Sequence, residues 1–227
     1  MKVQDTMDRI ILDQIPFDVD EVALMDILRI RPGSRNAAQF SALFKEARQI
    51  AVPKAVYAMA EAHILEGDSV EIGGVQFRSP LLCVNLEKAG TVFPFAATCG
   101  IELEEWSKKM HNVMHAFWAD AIMLMALGCT VSRLEICLKE KVGSVALSSM
   151  NPGSLPEWTI EEQANIFALI GEKAEAVGIR LTKNMIIRPQ KSISGIYFVS
   201  EKGFCSCSLC PRERCFARRE LYKHYSN

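Results

Sequence analysis

Residues 70–77 read Val-Glu-Ile-Gly-Gly-Val-Gln-Phe, and this short stretch decides the fold class. Apolar residues alternate on both sides of Gly73-Gly74, and a Gly-Gly pair suits a two-residue turn with positive φ. The pattern therefore predicts a β-hairpin. Short apolar segments predict further strands at 81–86, 91–98, 179–187 and 192–200.

Helical patterns lie on both sides of these strands. Apolar residues recur with a period near 3.6 in 18–31 and 38–51, and Thr159 is a candidate N-cap for a helix to about 176. The stretch from 101 to about 145 predicts two long helices broken near Gly128. Because no regular βαβ succession is present, we expect an α+β fold in which long helices flank a mostly antiparallel sheet.

The long helical stretch contains His111 and His115, which are four residues apart, as helical metal ligands can be. No carboxylate follows them in a zinc-protease pattern, so packing is the better interpretation. The neighbouring Met110, Met114 and Phe117 are likewise expected to pack in the core.

The composition excludes several classes of protein. With 227 residues, 49% hydrophobic, 13 Gly and 9 Pro, the chain is neither disordered nor collagen-like. A net charge of -1 gives no general attraction to nucleic acid or to an anionic membrane. The sequence lacks an apolar N-terminal signal region and any uninterrupted apolar run of about 18 residues. We therefore expect a cytoplasmic protein whose partners are small molecules or other proteins.

The eight cysteines fall into two groups. Four lie within apolar segments and are expected to be small buried residues of a reducing compartment: Cys83, Cys99, Cys129 and Cys137. The other four form a C-x-C-x2-C-x4-C pattern that predicts a metal site: Cys205, Cys207, Cys210 and Cys215. A zinc ion or an iron–sulfur cluster would fit these thiolates, and free or redox-active thiols are the alternative.

Two features of this tail favour an iron–sulfur cluster over zinc. All four cysteines share one compact loop, whereas structural zinc sites usually use two separated Cys-x2-Cys units. Residues 201–227 also contain six Lys and Arg against three acids, a local charge of +3. Positive charge near a thiolate cluster stabilises its anionic state, although the same arginines would also suit a solvated helix start.

Three segments carry a resemblance to a known family. They read Asn151-Pro-Gly-Ser-Leu-Pro-Glu-Trp-Thr-Ile-Glu-Glu-Gln163, Gly178-Ile-Arg-Leu-Thr182 and Met185-Ile-Ile-Arg-Pro-Gln-Lys-Ser-Ile-Ser-Gly-Ile-Tyr-Phe198. Together they resemble the activation domain of vitamin B12-dependent methionine synthase, and the order of elements from 18 to 200 resembles it more loosely. The resemblance predicts an activation-like domain over 1–200, with a helical part at 1–55, and a Cys-rich tail over 201–227.

The resemblance implies an accessory role in cobalamin-dependent methyl transfer, in which an inactive corrinoid is reduced and remethylated from S-adenosylmethionine. The cobalamin would be carried by a partner, a corrinoid-binding protein. Pro152 and Gly153 match the family's Pro-Gly loop and imply a backbone that approaches a ligand closely, with Tyr197 and Phe204 as aromatic walls.

Departures from the family pattern bear on S-adenosylmethionine and on catalysis. Ser154 replaces the family's tyrosine, its loop arginine is lost at Ser149 or a neighbour, and Lys183 replaces an acid. These losses predict weak or absent binding of S-adenosylmethionine. No nucleophile with a general base emerges, so no catalytic residue is assigned. Two hypotheses stay open: a redox or methyl-transfer accessory enzyme, and a non-catalytic binding module with a structural zinc.

Overall fold

The computed structural model describes residues 7–143, 146–200, 208–210 and 221. It confirms the α+β class, with an antiparallel sheet flanked by helices. The strands are β1 (Arg9–Leu12), β2 (Lys54–Ala58), β3 (Ala60–Leu65), β4 (Ser69–Ile72), β5 (Val75–Arg78), β6 (Thr91–Thr98), β7 (Leu147–Met150), β8 (Arg180–Leu181), β9 (Ile187–Arg188) and β10 (Ser192–Val199). The helices are α1 (Glu21–Ile27), α2 (Arg35–Ile50), α3 (Pro80–Leu86), α4 (Ile101–Ser107), α5 (Val113–Val142), α6 (Gln163–Ile170) and α7 (Lys173–Ala176).

Strand β6 is the centre of the main sheet. It pairs with β2 and β3 along one edge and with β10 along the other, and β10 in turn pairs with β7. Every residue of β6 after Thr91 is buried, as expected for a strand covered on both faces. Strands β8 and β9 form a separate two-stranded hairpin.

Helices cover both faces of this sheet. Phe93 and Phe95 of β6 pack in a cluster that includes Leu134 and Leu138 of α5. Val92 lies in a different cluster, with residues of α3 and α6. The core is thus built on the two sides of β6, and strands paired with β6 are held between helical layers.

The predicted hairpin at 70–77 is confirmed. Strands β4 and β5 pair with Ile72 opposite Val75, and Gly73 and Gly74 have φ of 54° and 81°. The predicted strands at 91–98 and 192–200 are also confirmed as β6 and β10. Strand β1, which pairs with β2, was not expected from the sequence.

The prediction of a strand at 81–86 is wrong, because this segment is helix α3. The Ser79 hydroxyl accepts a hydrogen bond from the Leu82 N–H at 3.1 Å, and Pro80 occupies the first helical turn. A serine cap followed by proline is a helix-start signal that outweighs a short apolar run. The segment predicted as one strand at 179–187 is instead a hairpin, in which the short strands β8 and β9 near its two ends pair with each other.

The predicted helix break near Gly128 is also wrong. The break lies before α5, where the Asn112 side chain accepts hydrogen bonds from the Met114 and His115 N–H groups at 2.8 and 3.2 Å. Helix α5 then runs through Gly128 without interruption. Its long buried face outweighs the cost of about 1 kcal/mol for one glycine in a helix.

The expected core packing around the two histidines holds only in part. Met110 packs against the core, and the His115 ring stacks on Trp118 with centroids 5.5 Å apart. Phe117, however, is 51% exposed and Met114 is similarly exposed. These two side chains lie on the outward face of α5, which is a correction to the sequence-based expectation.

Helix α5 is long and apolar enough to cross a membrane by length and composition, with a mean hydropathy of 1.7 in its most apolar window. One third of that window is buried inside the protein. Its inward face packs on α2, α4 and the sheet.

Candidate functional site

The Pro152-Gly153 segment forms a tight loop between β7 and α6. The Gly153 N–H donates to the Trp158 carbonyl oxygen at 2.8 Å, and the Ser154 N–H donates to the Asn151 carbonyl oxygen at 3.2 Å. Gly153 has a φ of 75°, and a Cβ at this position would overlap the Ile160 side chain. The backbone conformation therefore favours glycine here, and any larger residue would also require the Ile160 side chain to shift.

An open groove of about 700 Å³ lies against this loop, and we call it the loop groove. Residues from the loop, from the short 3-10 helix Ile160–Glu162 and from the tail meet there. Its described lining is Gly153, Ser154, Leu155, Pro156, Thr159, Ile160, Glu161 and Cys210. The structure thus brings together two features that the sequence predicted separately, the Pro-Gly loop and one cysteine of the tail.

Charge in the described lining of the loop groove comes from Glu161. A hydrogen bond from the Thr159 side chain lowers the pKa of the Glu161 carboxyl group. This carboxylate is therefore ionised at neutral pH, and the rest of the described lining is mainly apolar. Such a surface disfavours phosphate-like anions and suits an apolar or cationic group.

A buried polar network fixes the loop to the sheet. The Asn151 side-chain amide donates to the Ser194 carbonyl oxygen at 2.8 Å, and the Ser194 hydroxyl donates to Gln163 Oε1 at 3.1 Å. Gln163 also donates from Nε2 to the Met185 carbonyl oxygen at 2.8 Å. The network therefore links the loop, β10, α6 and the β8–β9 hairpin.

Close packing at Gly195 reinforces that network. A Cβ on Gly195 would overlap the Met150 carbonyl oxygen and the Asn151 side-chain nitrogen. In the sequence, Gln163 and Gly195 stand out only as members of the segments that carry the resemblance, and the pattern assigns them no role. The signal that could have identified Gln163 is its polar side chain at the start of the mainly apolar helix α6.

Tyr197 occupies a different place from the loop groove. It is 1% exposed, its ring packs on Phe95 with centroids 4.6 Å apart, and its hydroxyl donates to Glu135 Oε1 at 2.9 Å. The described lining of the groove does not include it. Its role as an aromatic wall of a binding site stays a prediction, as does that of Phe204, which lies outside the described residues.

Of the four cysteines in apolar segments, the expected burial holds fully for one. Cys99 is buried, while Cys83, Cys129 and Cys137 are only partly buried thiols. Burial, with a smaller contribution from the Glu104 carboxylate, raises the pKa of the Cys99 thiol to about 12. Cys99 is therefore protonated and unreactive at neutral pH, as a small core residue should be.

The predicted metal ligands are mostly outside the described residues. Cys210 is half-buried beside the loop groove, whereas Cys205, Cys207 and Cys215 are not described. Within the described part of the chain, no three His, Cys, Asp or Glu side chains converge as metal ligands. The four-cysteine site therefore stays a prediction that rests on spacing.

The fold can be compared with known proteins. No protein-family model matches this chain, and no curated protein matches it in sequence. Its fold is similar to that of a solved structure described as the MetH reactivation domain bound to AdoHcy, with a TM-score of 0.57. That similarity has 16% sequence identity and covers 95% of this chain and 82% of the other.

The similarity spans almost the whole chain and supports the fold that the sequence resemblance implied. At 16% identity, it is a statement about fold. AdoHcy is bound in the MetH structure. The similarity in fold does not assign AdoHcy to the loop groove of this chain.

Proposed function

We propose that this protein is an accessory factor for corrinoid-dependent methyl transfer that assists reductive reactivation of the corrinoid. The observation that carries the proposal is the meeting of the Pro152-Gly153 loop and Cys210 in one groove, on a fold similar to that of the MetH reactivation domain. The corrinoid is carried by a separate cobalamin-binding protein, which docks on the loop groove.

The geometry of the loop groove suits such a partner. The groove is open, broad and mainly apolar, so it can contact a flat macrocycle or the protein surface around it. Gly153 is exposed and has no side chain, and the Ile160 side chain supplies an apolar contact beside it. The Asn151, Gln163 and Ser194 network holds this surface in place before a partner arrives, which lowers the entropic cost of docking.

The tail supplies the redox part of the proposal. Cys205, Cys207, Cys210 and Cys215 would hold an iron–sulfur cluster, and Cys210 would place it at the edge of the loop groove. When bound, such a cluster supplies one-electron chemistry, which matches the single electron separating cob(II)alamin from cob(I)alamin. The described residues position and shield this edge of the groove.

Binding of free cob(II)alamin tests the groove. We expect an anaerobic absorbance titration to detect binding, and Ile160→Glu to weaken it about tenfold or more by placing a charge on the apolar lining. Val84→Glu is the matched control, because Val84 is 74% exposed on α3 away from the groove lining. No binding, or equal binding by all three proteins, would contradict the proposal.

Metal analysis tests the tail separately. Protein purified without oxygen should be brown and contain iron and acid-labile sulfide. Cys210→Ser should lose most of that iron, whereas Cys83→Ser, at another partly buried thiol, should retain it. A colourless protein with one zinc per chain would exclude the electron-transfer role and favour a zinc-stapled binding module.

S-adenosylmethionine is a third probe. Because Ser154 and Ser149 replace the polar groups expected in the family, isothermal titration should detect weak or no binding. Tight binding would mean that other side chains replace those groups, and it would extend the proposal from reduction to remethylation.

A further inference from the structure

The outward face of α5 has an unusual composition for a surface helix. Phe117, Ala121, Leu124 and Gly128 follow one another at spacings of three and four, so they share one face of the helix. The described protomer leaves this face partly open, since Phe117 and Gly128 are exposed and Ala121 and Leu124 are only partly buried. A partly open apolar stripe of this kind is a candidate contact surface.

A groove of about 520 Å³ runs between α5 and the segment 15–27, and we call it the helix groove. Gly128 lies in its wall, where a Cβ would meet no atom within 4 Å. Glycine in a helix interior costs about 1 kcal/mol relative to alanine. Packing within the described part of the protomer does not require Gly128, so the open space there suits a side chain from outside.

Protruding apolar side chains stand next to the helix groove. Ile27 of α1 is 55% exposed and Ile136 of α5 is about half exposed, and both belong to the lining of the helix groove. The same face of the molecule therefore has both a groove and exposed apolar side chains that could enter the helix groove of another copy. A surface with both features is complementary to itself, as the contact of a two-fold symmetric dimer must be.

We propose that the occupant of the helix groove is a second copy of this chain, related by a two-fold axis. In this dimer, the exposed Ile27 side chain enters the groove of the other copy near its Gly128. The outward faces of the two α5 helices lie against each other.

The size of the face suits a dimer. The segment of α5 from Phe117 to Ile136 is about 30 Å long, and α5 with its neighbouring segment is about 20 Å wide. The resulting footprint of about 600 Å² is close to the roughly 800 Å² per partner of a standard interface.

The charges at the rim of the helix groove also fit this arrangement. Asp18 and Asp20 lie on the wall formed by the segment 15–27, whereas Arg133 lies on the α5 wall. Two copies that face each other can place the basic wall of one near the acidic wall of the other. Opposite charges at a rim favour the correct orientation of the partners.

Sedimentation velocity or light scattering on the full chain tests the proposal. We expect a mass of twice 25.3 kDa at concentrations of about 100 µM, well above a micromolar Kd. Ile27→Glu should give monomers, because it would bury a charge in the apolar contact. Val84→Glu makes the same change at an exposed valine of α3 and should stay dimeric.

Gly128→Leu separates docking from folding. The added side chain enters open space and improves helix propensity, so the melting temperature of the protomer should not fall. Filling the helix groove should nevertheless weaken the dimer about tenfold or more. A wild-type protein that is monomeric at about 100 µM, or a dimer that resists both Ile27→Glu and Gly128→Leu, would overturn the proposal. A dimer weakened equally by Val84→Glu would place the interface elsewhere.

Discussion

The glycines at the loop groove and at the helix groove differ in the space around them. At the loop groove, a Cβ on the nearby Gly195 would overlap the Met150 backbone and the Asn151 side chain, and a Cβ on Gly153 would have to displace the Ile160 side chain. At the helix groove, Gly128 faces open space. The first region is thus fixed by its own packing, whereas the second has space that the described protomer leaves unfilled. Substitutions at these glycines test that contrast directly.

The largest effect is expected for Gly195→Ala. The new Cβ would overlap the Met150 carbonyl oxygen and the Asn151 side chain, both held by β-sheet and network hydrogen bonds. Backbone atoms cannot move aside cheaply, so we expect a loss of about 3 kcal/mol or more in the free energy of unfolding. Urea unfolding measures this loss. A cost below about 1 kcal/mol would mean that the loop attachment is soft.

A smaller effect is expected for Gly153→Ala. Its φ of 75° is unfavourable for alanine, and the Cβ would also overlap Ile160, for a combined cost of about 2 kcal/mol. Gly90→Ala is the matched control, because Gly90 has a φ of 59° but open space around it. It should cost about 1 kcal/mol. Thermal unfolding of the two variants separates the steric cost from the cost of the backbone conformation.

Truncating the neighbour should recover the steric part. In the double variant Gly153→Ala/Ile160→Ala, we expect a favourable coupling of about 1 kcal/mol relative to the sum of the single changes. Strictly additive effects would contradict the assignment of Ile160 as the colliding side chain.

The buried thiol beneath the sheet provides a pH test of packing away from both grooves. Because the pKa of Cys99 is raised to about 12, the folded state holds its proton more tightly than the unfolded state does. This contribution to stability is complete below about pH 9 and is lost as the pH rises towards 12, with a slope of up to about 1.4 kcal/mol per pH unit. We would measure the free energy of unfolding of wild type and Cys99→Ala at several alkaline pH values. The stability advantage of wild type over Cys99→Ala should shrink as the pH rises. A constant difference between the two proteins would be the contrary result.

The smallest effect, and one of opposite sign, is expected for Gly128→Ala. Because a Cβ fits there without contact, the substitution should stabilise the protomer by about 0.5–1 kcal/mol through helix propensity alone. Chemical unfolding under conditions that favour the monomer would measure it. If Gly128→Ala were destabilised, Gly128 would also be required by packing within the protomer, and the difference between the loop groove and the helix groove would not hold.

Sequence reasoning recovered the features that depend on neighbouring residues. The Gly73-Gly74 hairpin, the strands at 91–98 and 192–200 and the tight Pro152-Gly153 loop follow from turn chemistry and periodicity within a few residues. It failed at α3, where the Ser79 cap signal was overlooked, and at Gly128, where a local helix breaker was outweighed by distant packing.

The candidate site was predictable in its loop and not in its surroundings. Nothing local to Ile160 or Glu161 indicates that they line a groove with Cys210, since that contact joins segments far apart in the chain. Likewise, the alternation in β10 gives Tyr197 a face of the strand, but only the pairing of β10 with β6 and β7 decides that this face is buried against Phe95.

The sequence by itself thus determined the α+β class, the hairpin and the presence of a Pro-Gly loop, because these follow from short-range backbone preferences and side-chain periodicity. Only the tertiary structure decided which glycines are enclosed and which face open space. It also decided that Cys210 lies beside the Gly153 loop and that α5 leaves apolar side chains such as Phe117 and Ile136 exposed. Those properties depend on which distant segments pack against each other, and pattern within one segment does not specify that.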